Sequence, residues 1–312
     1  MGGPGAERPV RVLCHGLVAS DFLVPTAFPV PRDRKVRVRD VIRQGGGPAA
    51  NASVALARLG ARVAFAGAVG DDALGREQIE QLAREGVNVD HVEVIAGTTS
   101  FVSFILVEET TGARTIFSAP DGRPLASERA DSLSSAPDLV LVDGWGGPAQ
   151  LDVARQARER GIPLLLDAGS ARPEVMTLAA LADVVIASEP FAEDRAGPGA
   201  AEDAVRQLLA TGATLAAVTR GPRTVIAGAR GAESLFEVPA VPVRAVDTTG
   251  AGDAFHGGAA FGLASGAAWE EALRLAAYVA ARKCEKAGAR EGLPFLDEVR
   301  AQGWLDTLSG DF

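Results

Sequence analysis

The order of apolar runs along the chain predicts a sheet whose strands alternate with helices. From residue 138 onward, short apolar runs alternate with longer segments of helical periodicity. The runs expected to be strands are 139–142, 164–167, 184–187 and 215–219, and the segments expected to be helices are 149–160, 174–181 and 202–211. This order is typical of a doubly wound α/β fold, with a mostly parallel sheet flanked by helices.

Two further apolar runs near the N-terminus extend this sheet. The run at 10–18 predicts a first central strand followed by a loop that carries Asp21, and the run at 63–69 predicts another buried strand. Between them, a helix is expected at 50–59, closed by Gly60 at its C-terminus.

A second pattern, alternation of polar and apolar positions, predicts a small antiparallel sheet outside the main body. Residues 34–43 alternate with period two, which is typical of a half-exposed strand, and residues 98–119 predict a hairpin. Segments at about 22–44 and 98–119 are therefore expected to form a β lid. No linker interrupts the chain, so we expect a single domain over 10–312, preceded by a disordered tail at 1–9.

The stretch at 241–264 predicts a strand, a glycine turn and a buried helix that begins near Ala254. Glycines at the turn let a ligand approach the backbone, so the amides of Gly250, Ala251 and Gly252 are expected to face an anion at the helix N-terminus. Asp253 lies beside this anion site. A carboxylate suits a reaction in which a hydroxyl group must be oriented and lose its proton, which indicates phosphoryl transfer. The alternative is a plain tight turn with an acidic residue at a helix start.

Glycines at 45–47 precede the helix expected at 50–59 and predict a second place where a ligand can reach the backbone. Asn51 lies in the first turn of that helix, where its amide can both accept from and donate to a hydroxyl group. Asp21 is a further candidate, although an isolated Asp at a strand end is also typical of a turn.

Composition narrows the classes of function. A net charge of −9 argues against nonspecific binding of nucleic acid. Cys14 and Cys284 lack metal-ligand spacing, and no apolar run is long enough to span a membrane, so a cytoplasmic location is expected. The chain contains neither G-x-x-x-x-G-K-[ST] nor a G-x-G-x-x-G after its first strand, which disfavours a Walker-type NTPase and a dinucleotide-binding protein.

The combined motifs resemble the ribokinase-like (PfkB) family of carbohydrate kinases, nearest to its ketohexokinase and bacterial sulfofructose kinase members. The resemblance covers residues 10 to 295. It is carried by the stretch from Asp247 to His256, by the glycines at 45–47 with Asn51, and by residues 281–292. The family implies ATP-dependent transfer of a phosphoryl group to a small sugar of the ketose or pentose type, with Asp253 as the base and the Gly250–Gly252 amides as the anion hole.

The same resemblance assigns the remaining site residues. Those implied for the sugar are Asp21, Gly46, Gly47, Asn51 and, from the lid, Arg114. Those implied for ATP are Ser188, Thr219, Gly221, Thr249 and Cys284. Mg²⁺ would arrive with ATP, with Glu189 contributing through water, and Asp247 with the 284–290 loop resembles a site for a monovalent cation such as K⁺. The sequence departs from the family at 188–191, where Ser-Glu-Pro-Phe replaces the N-x-x-E motif that many members use for Mg²⁺.

Two other functions stay open at this stage. A nucleoside kinase of the same fold would need aromatic faces for a base, and aromatic residues are only 5% of the chain. A noncatalytic sugar-binding sensor is the alternative from another class, although the presence of Asp253 argues against it. The family also implies a homodimer formed through the lid, which the exposed alternating strand makes physically reasonable.

Overall fold

The computed structural model describes residues 8–119, 133–134 and 136–304. The tail predicted at 1–9 thus lies, apart from its last two residues, outside the described part of the chain. The strands of the described part, in chain order, are β1 (Arg11–His15), β2 (Ala19–Thr26), β3 (Ile42–Gly46), β4 (Arg62–Gly70), β5 (Asn88–Ile95), β6 (Val102–Glu108), β7 (Arg114–Ala119), β8 (Leu139–Val142), β9 (Leu164–Ala168), β10 (Val184–Ser188), β11 (Leu215–Thr219), β12 (Val225–Ala229) and β13 (Phe236–Val238).

The helices of the same residues are α1 (Pro48–Arg58), α2 (Ala73–Arg84), α3 (Gly147–Glu159), α4 (Pro173–Ala179), α5 (Glu189–Ala196), α6 (Ala201–Ala210), α7 (Ala251–Ala264), α8 (Trp269–Cys284) and α9 (Leu296–Ala301). None of the helices in the described ranges is both long and apolar enough to cross a membrane.

The main sheet has nine strands in the order β13-β12-β11-β10-β9-β8-β1-β4-β5. Strands β11, β12 and β13 pair antiparallel with one another at one edge, and the other neighbours are parallel. Apolar side chains cover both faces, because alternate residues of each buried strand pack against different helices. One face carries α1, α7 and α8, and the other carries α3 to α6. The predicted doubly wound α/β fold is therefore confirmed.

Helix α7 lies closely packed between two neighbours on its face of the sheet. A Cβ added to Gly257 would lie 2.7 Å from Ala55 Cβ of α1, and one added to Gly258 would lie 2.8 Å from Ala276 Cα of α8. Residues without side chains thus allow the three backbones to approach each other. This packing fixes the direction in which the N-terminus of α7 points.

A second, four-stranded sheet has the order β3-β2-β6-β7 and corresponds to the predicted lid. Strands β6 and β7 form the hairpin expected at 98–119, while β2 pairs antiparallel with β3 and parallel with β6. Only residues 16–18 separate β1 of the main sheet from β2 of the lid. The root of the lid is therefore anchored directly in the main body.

Two predictions about the lid were wrong. Residues 34–41 form no strand, and the pairing begins at Ile42. Their alternation misled because all side chains from 34 to 41 are exposed, so no buried face stands behind the pattern. The loop predicted to carry Asp21 is limited to residues 16–18, and Asp21 itself lies within β2.

The strand predicted at 241–246 was wrong as well. These residues belong to neither sheet, and the side chain of Val246 is 56% exposed. The Val246 amide donates to the Cys284 carbonyl at the end of α8 instead of to a strand. The strands β5 and β13 at the two edges of the main sheet, the strand β12 next to β13, and the helices α5, α8 and α9 were not predicted either.

Candidate active site

The N-terminus of α7 is built as a tight turn that leaves amide groups free. Gly250 adopts a left-handed conformation with φ of 74° and caps the helix. Among the described residues, no acceptor faces the amides of Gly250 or Gly252, and the space next to Gly252 is open. The amide of Ala251, which we expected to face an anion, instead donates to the Thr248 carbonyl at 3.1 Å, because the turn uses it for its own closure.

Asp253 lies in the first turn of α7, next to these free amides. Its Oδ2 atom accepts a hydrogen bond of 2.7 Å from Nδ2 of Asn51, which stands in the first turn of α1. Oδ1 of Asn51 in turn accepts a 2.8 Å hydrogen bond from Nε of Arg290. The arginine thereby fixes which end of the Asn51 amide faces Asp253, because a guanidinium can only donate.

Two opposing effects set the acidity of Asp253. Burial is the larger effect and leaves the pKa of its carboxyl raised, although the hydrogen bond from Asn51 and the positive charges of Arg114 and Lys283 lower it. The Asn51 bond favours the ionised form, which is the form that can accept a proton.

Asp21 forms the opposite wall of the site, on the lid strand β2. A Cβ added to Gly46 of β3 would lie 2.2 Å from Asp21 Oδ2, so the carboxylate occupies the space that a side chain at position 46 would need. Burial raises the pKa of Asp21 to about 6, against a hydrogen bond from Ser103 and the charge of Arg290, which both lower it. Gly47 caps α1 with φ of 94°, and its missing side chain lets the loop pass Leu17.

The lid also supplies Arg114, at the start of β7. Its Nη1 atom donates to Oγ1 of Thr248 at 3.0 Å, which places its charge beside the turn before α7. Of the sugar-side predictions, Asn51 therefore contacts Asp253 and Arg114 contacts the turn. Asp21 lies against Gly46, and Gly47 lies at the start of α1.

The residues predicted for ATP fall into two groups. Ser188 and Thr219 are neighbours in register at the carboxyl edge of the main sheet. Both hydroxyls already bond locally, since Ser188 caps α5 and Thr219 Oγ1 donates to the Ala187 carbonyl. Gly221 follows in an exposed turn with φ of 60°.

Thr249 and Cys284 form the second group, close to the turn before α7. The Oγ1 atom of Thr249 is buried and has no hydrogen bond partner among the described residues. The Cys284 carbonyl accepts from the amides of Val246 and Asp247, and burial raises the pKa of its thiol.

The two candidate metal ligands are both engaged by other groups. Glu189 forms an ion pair with Arg223. The Asp247 carboxylate accepts from the amides of Thr249 and Gly288, each at 2.8 Å, and its carbonyl accepts from Lys283 Nζ at 2.7 Å. In the ranges that the structure describes, no three His, Cys, Asp or Glu side chains cluster as a metal site. These contacts argue against a cation at Asp247.

Three residues near the site received no individual role from the sequence. Arg290 and Lys283 are buried cations, and their contacts with Asn51 and Asp247 join distant parts of the chain. Both lie within residues 281–292, which carry part of the family resemblance, and Lys283 is also a lysine on the otherwise apolar face of α8. The third is Asp167, whose carboxylate lies 3.3 Å from His256 Nδ1; burial raises its pKa to about 7.

Comparison with known proteins assigns the chain to a family. Residues 11–296 match the model of the pfkB family of carbohydrate kinases. The chain therefore belongs to the pfkB family, which confirms the predicted family and the predicted class of enzyme, a carbohydrate kinase that uses ATP.

Individual relatives support the same assignment. The ribokinase of Bacillus subtilis is 32% identical over 257 residues, which cover 81% of this chain and 86% of that enzyme. A ribokinase-like protein from Agrobacterium tumefaciens superposes with a TM-score of 0.87 at 31% identity, covering 96% of this chain and 99% of its own. Aminoimidazole riboside kinase from Salmonella enterica, solved with aminoimidazole riboside and an ATP analogue, gives 0.74 at 27% identity over 93% of this chain and 99% of its own.

Proposed function

We propose that the chain transfers the γ-phosphate of ATP to a hydroxyl group of a small sugar of the ketose or pentose type, with Asp253 as the general base. One observation carries this proposal. The Asp253 carboxylate, oriented by Asn51, lies at a helix N-terminus whose amides at Gly250 and Gly252 have no acceptor among the described residues.

The two walls of the site have different roles in this reaction. The free amides and the positive end of α7 favour the phosphate oxygens, where negative charge builds up during transfer. Asp21 and Asn51 supply an acceptor-only carboxylate and an amide, which can bridge neighbouring sugar hydroxyls. The sugar is thereby held between the lid and the phosphate.

Proton transfer completes the step. As the sugar oxygen forms its bond to the γ-phosphorus, its proton moves to Asp253, and the bond from that phosphorus to the β,γ-bridging oxygen breaks to release ADP. Arg114, held beside Thr248, adds positive charge at the phosphate end. Because Arg114 belongs to the lid, closure of the lid would bring this positive charge to the phosphate end of the site.

The nucleotide and its metal fit the residues in different degrees. The open space at Gly252 and the buried, unpartnered hydroxyl of Thr249 suit phosphate and nucleotide oxygens. Mg²⁺ that arrives with ATP keeps several of its waters and needs no cage of carboxylates. Glu189, which forms an ion pair with Arg223, would contact this Mg²⁺ through a water molecule.

A riboside is the second candidate for the acceptor. The likeness to a kinase solved with aminoimidazole riboside favours including nucleosides and ribosides beside free sugars. The shared chemistry is a furanose ring with adjacent hydroxyls, which Asp21 and Asn51 would bind in the same way.

The lid carries the proposed dimer interface. Several apolar side chains of its strands are exposed, among them Phe104, Ile116 and Phe117, which is 55% exposed. Burying such a patch against a second copy would remove it from water. Sedimentation at micromolar concentration tests this, and a monomer there would exclude the dimer.

A reducing, cytoplasmic setting belongs to the same proposal, since ATP is the donor and both cysteines are free.

A panel of ketoses, pentoses, hexoses and ribosides with ATP, followed by ADP release, tests the proposed reaction. Asp253→Asn should lower kcat by about 10²–10⁴-fold, the usual contribution of a general base. The matched control is Asp297→Asn, the same change in the first turn of α9, where the side chain is 95% exposed. Unchanged turnover in Asp253→Asn would refute the base, and tight sugar binding without any turnover would favour a sensor.

A further inference from the structure

Lys283 presents a positive charge in the interior of the protein. Its side chain is 0% exposed. The chain has only two other lysines, Lys35 and Lys286. A buried ammonium is costly unless it is compensated by partners and charge. Here Nζ donates to the Asp247 carbonyl at 2.7 Å, and the lysine lies in the last turn of α8, where the helix dipole favours a cation.

The position of this ammonium coincides with the place predicted for a bound monovalent cation. Such an ion would need oxygen ligands from Asp247 and from the 284–290 loop. The carbonyl oxygen of Asp247 already holds the ammonium, and its two carboxylate oxygens accept from the amides of Thr249 and Gly288. A second cation on these oxygens would meet a fixed like charge in a site of low dielectric.

The same ammonium lies directly behind the anion-binding turn. Asp247, which it holds, is bonded through its carboxylate to Thr249, and Gly250 follows as the cap of α7. The charge of Lys283 acts on Asp253 as well, since it lowers the pKa of that carboxyl. A fixed positive charge here would favour phosphate oxygens at the turn.

Resting on the proposed kinase function, we propose that the Lys283 ammonium is the protein's own cation at this turn and replaces a bound monovalent ion. Phosphoryl transfer by this chain then needs no added K⁺. The competing role is purely structural: Lys283 would only pin α8 to the segment before α7, and its charge would not matter for the reaction.

The first experiment uses the unmodified protein, freed of monovalent ions by dialysis against choline chloride. Turnover of the sugar with the highest kcat/KM in the panel is compared in KCl, NaCl and choline chloride at equal ionic strength. We expect rates that agree within about twofold, because the charge is built in. A rate about tenfold or more higher in KCl would overturn the proposal.

The second experiment replaces the ammonium with an uncharged side chain of similar length. Lys283→Met in choline chloride should lose about tenfold or more in kcat, because the turn loses its fixed charge. KCl or NH₄Cl should restore part of the loss by supplying an ion to the vacated Asp247 carbonyl. Lys35→Met, the same change at an exposed lysine, is the matched control and should keep full activity. Wild-type kcat for Lys283→Met in choline chloride would overturn the proposal and favour the structural role.

A readout that does not need turnover separates this inference from the proposed function. The melting temperature of the unmodified protein should be equal in KCl and choline chloride, whereas Lys283→Met should be stabilised specifically by KCl. If no acceptor in the panel is phosphorylated, the proposed function fails while this measurement still decides the inference. A K⁺-specific stabilisation of the unmodified protein would refute it, even if Lys283→Met does not fold.

Discussion

Replacing Arg290 tests how the site orients Asp253, the proposed base. The guanidinium lies beneath the Gly45 backbone, where an added Cβ would fall 2.1 Å from Nη1, and its Nε atom donates to Asn51. Arg290→Met keeps an unbranched stem but removes this donor. The Asn51 amide is then free to turn its oxygen, instead of its nitrogen, toward Asp253.

The size of the effect follows from the bond that is lost. A hydrogen bond from a charged group contributes about 1.5–3 kcal/mol, and each 1.36 kcal/mol of transition-state stabilisation is worth about tenfold in rate. We therefore expect Arg290→Met to lower kcat/KM by roughly 10- to 150-fold. The charge matters separately, because Arg290 lowers the pKa of Asp21, so its removal should raise that pKa above about 6.

The assay is a pH profile of kcat/KM for three proteins. Arg290→Met should show both the lower plateau and an acid limb moved to higher pH. Arg290→Lys keeps a positive charge but lacks the Nε donor, so it should lower the plateau with little movement of the limb. Arg300→Met, at an exposed arginine of α9, controls for the substitution itself.

Two outcomes would refute this reasoning. If Arg290→Met retains kcat/KM within twofold of the unmodified protein, Asn51 does not depend on the arginine for its orientation. If the plateau falls but the acid limb stays in place, the charge of Arg290 does not act on Asp21. Circular dichroism and thermal melting establish that the variant is folded before either result is interpreted.

Three further predictions concern the walls of the site. Since folding raises the pKa of Asp21 to about 6, the sugar KM should rise as the pH falls below about 6, and Asp21→Asn should give a raised KM without this pH dependence. Gly46→Ala forces a Cβ to within 2.2 Å of Asp21 Oδ2, so it should raise the sugar KM and lower the free energy of unfolding in urea by about 1–3 kcal/mol. Gly250→Ala combines φ of 74° with a Cβ 2.8 Å from that of Ala289; it should cost at least about 1–2 kcal/mol in the same urea titration and reduce kcat. Unaltered KM, urea midpoint or kcat in these variants would contradict the respective prediction.

The parts of the fold that the sequence predicted are those with a strong local signal. Buried parallel strands such as β8 read as continuous apolar runs, and the sequence predicted β8 with its observed bounds, 139–142. Helix α7 was predicted because glycine before an apolar helix is a distinctive pattern, but it begins at Ala251 and not near Ala254. Strands at the edge of the sheet, such as β13 with three residues, offer too short a pattern to separate from a loop.

The hydrogen bonds within the site could not be predicted, because they join residues far apart in sequence. Arg290 and Asn51 are 239 positions apart, and Lys283 and Asp247 are 36 apart. Sequence periodicity indicates which residues are neighbours within one helix or strand. These contacts arise only when α8 and the loop after it pack against α1 and α7. The mistaken strand at 241–246 has a related cause, since its amide at Val246 finds its acceptor on α8.

The short passage between β1 and β2 has a consequence for how such a protein can change over time. In the proposed reaction, Asp21 of β2 and Gly46 of β3 contribute to recognition of the acceptor, while the phosphate chemistry is assigned to another segment, 247–253. Asn51 of α1 lies between these segments in sequence and donates to Asp253 Oδ2 at 2.7 Å. Grafting β2 and β3 from a relative should therefore change the preferred acceptor and leave the donor chemistry intact. The lid and the phosphate site can thus diverge separately.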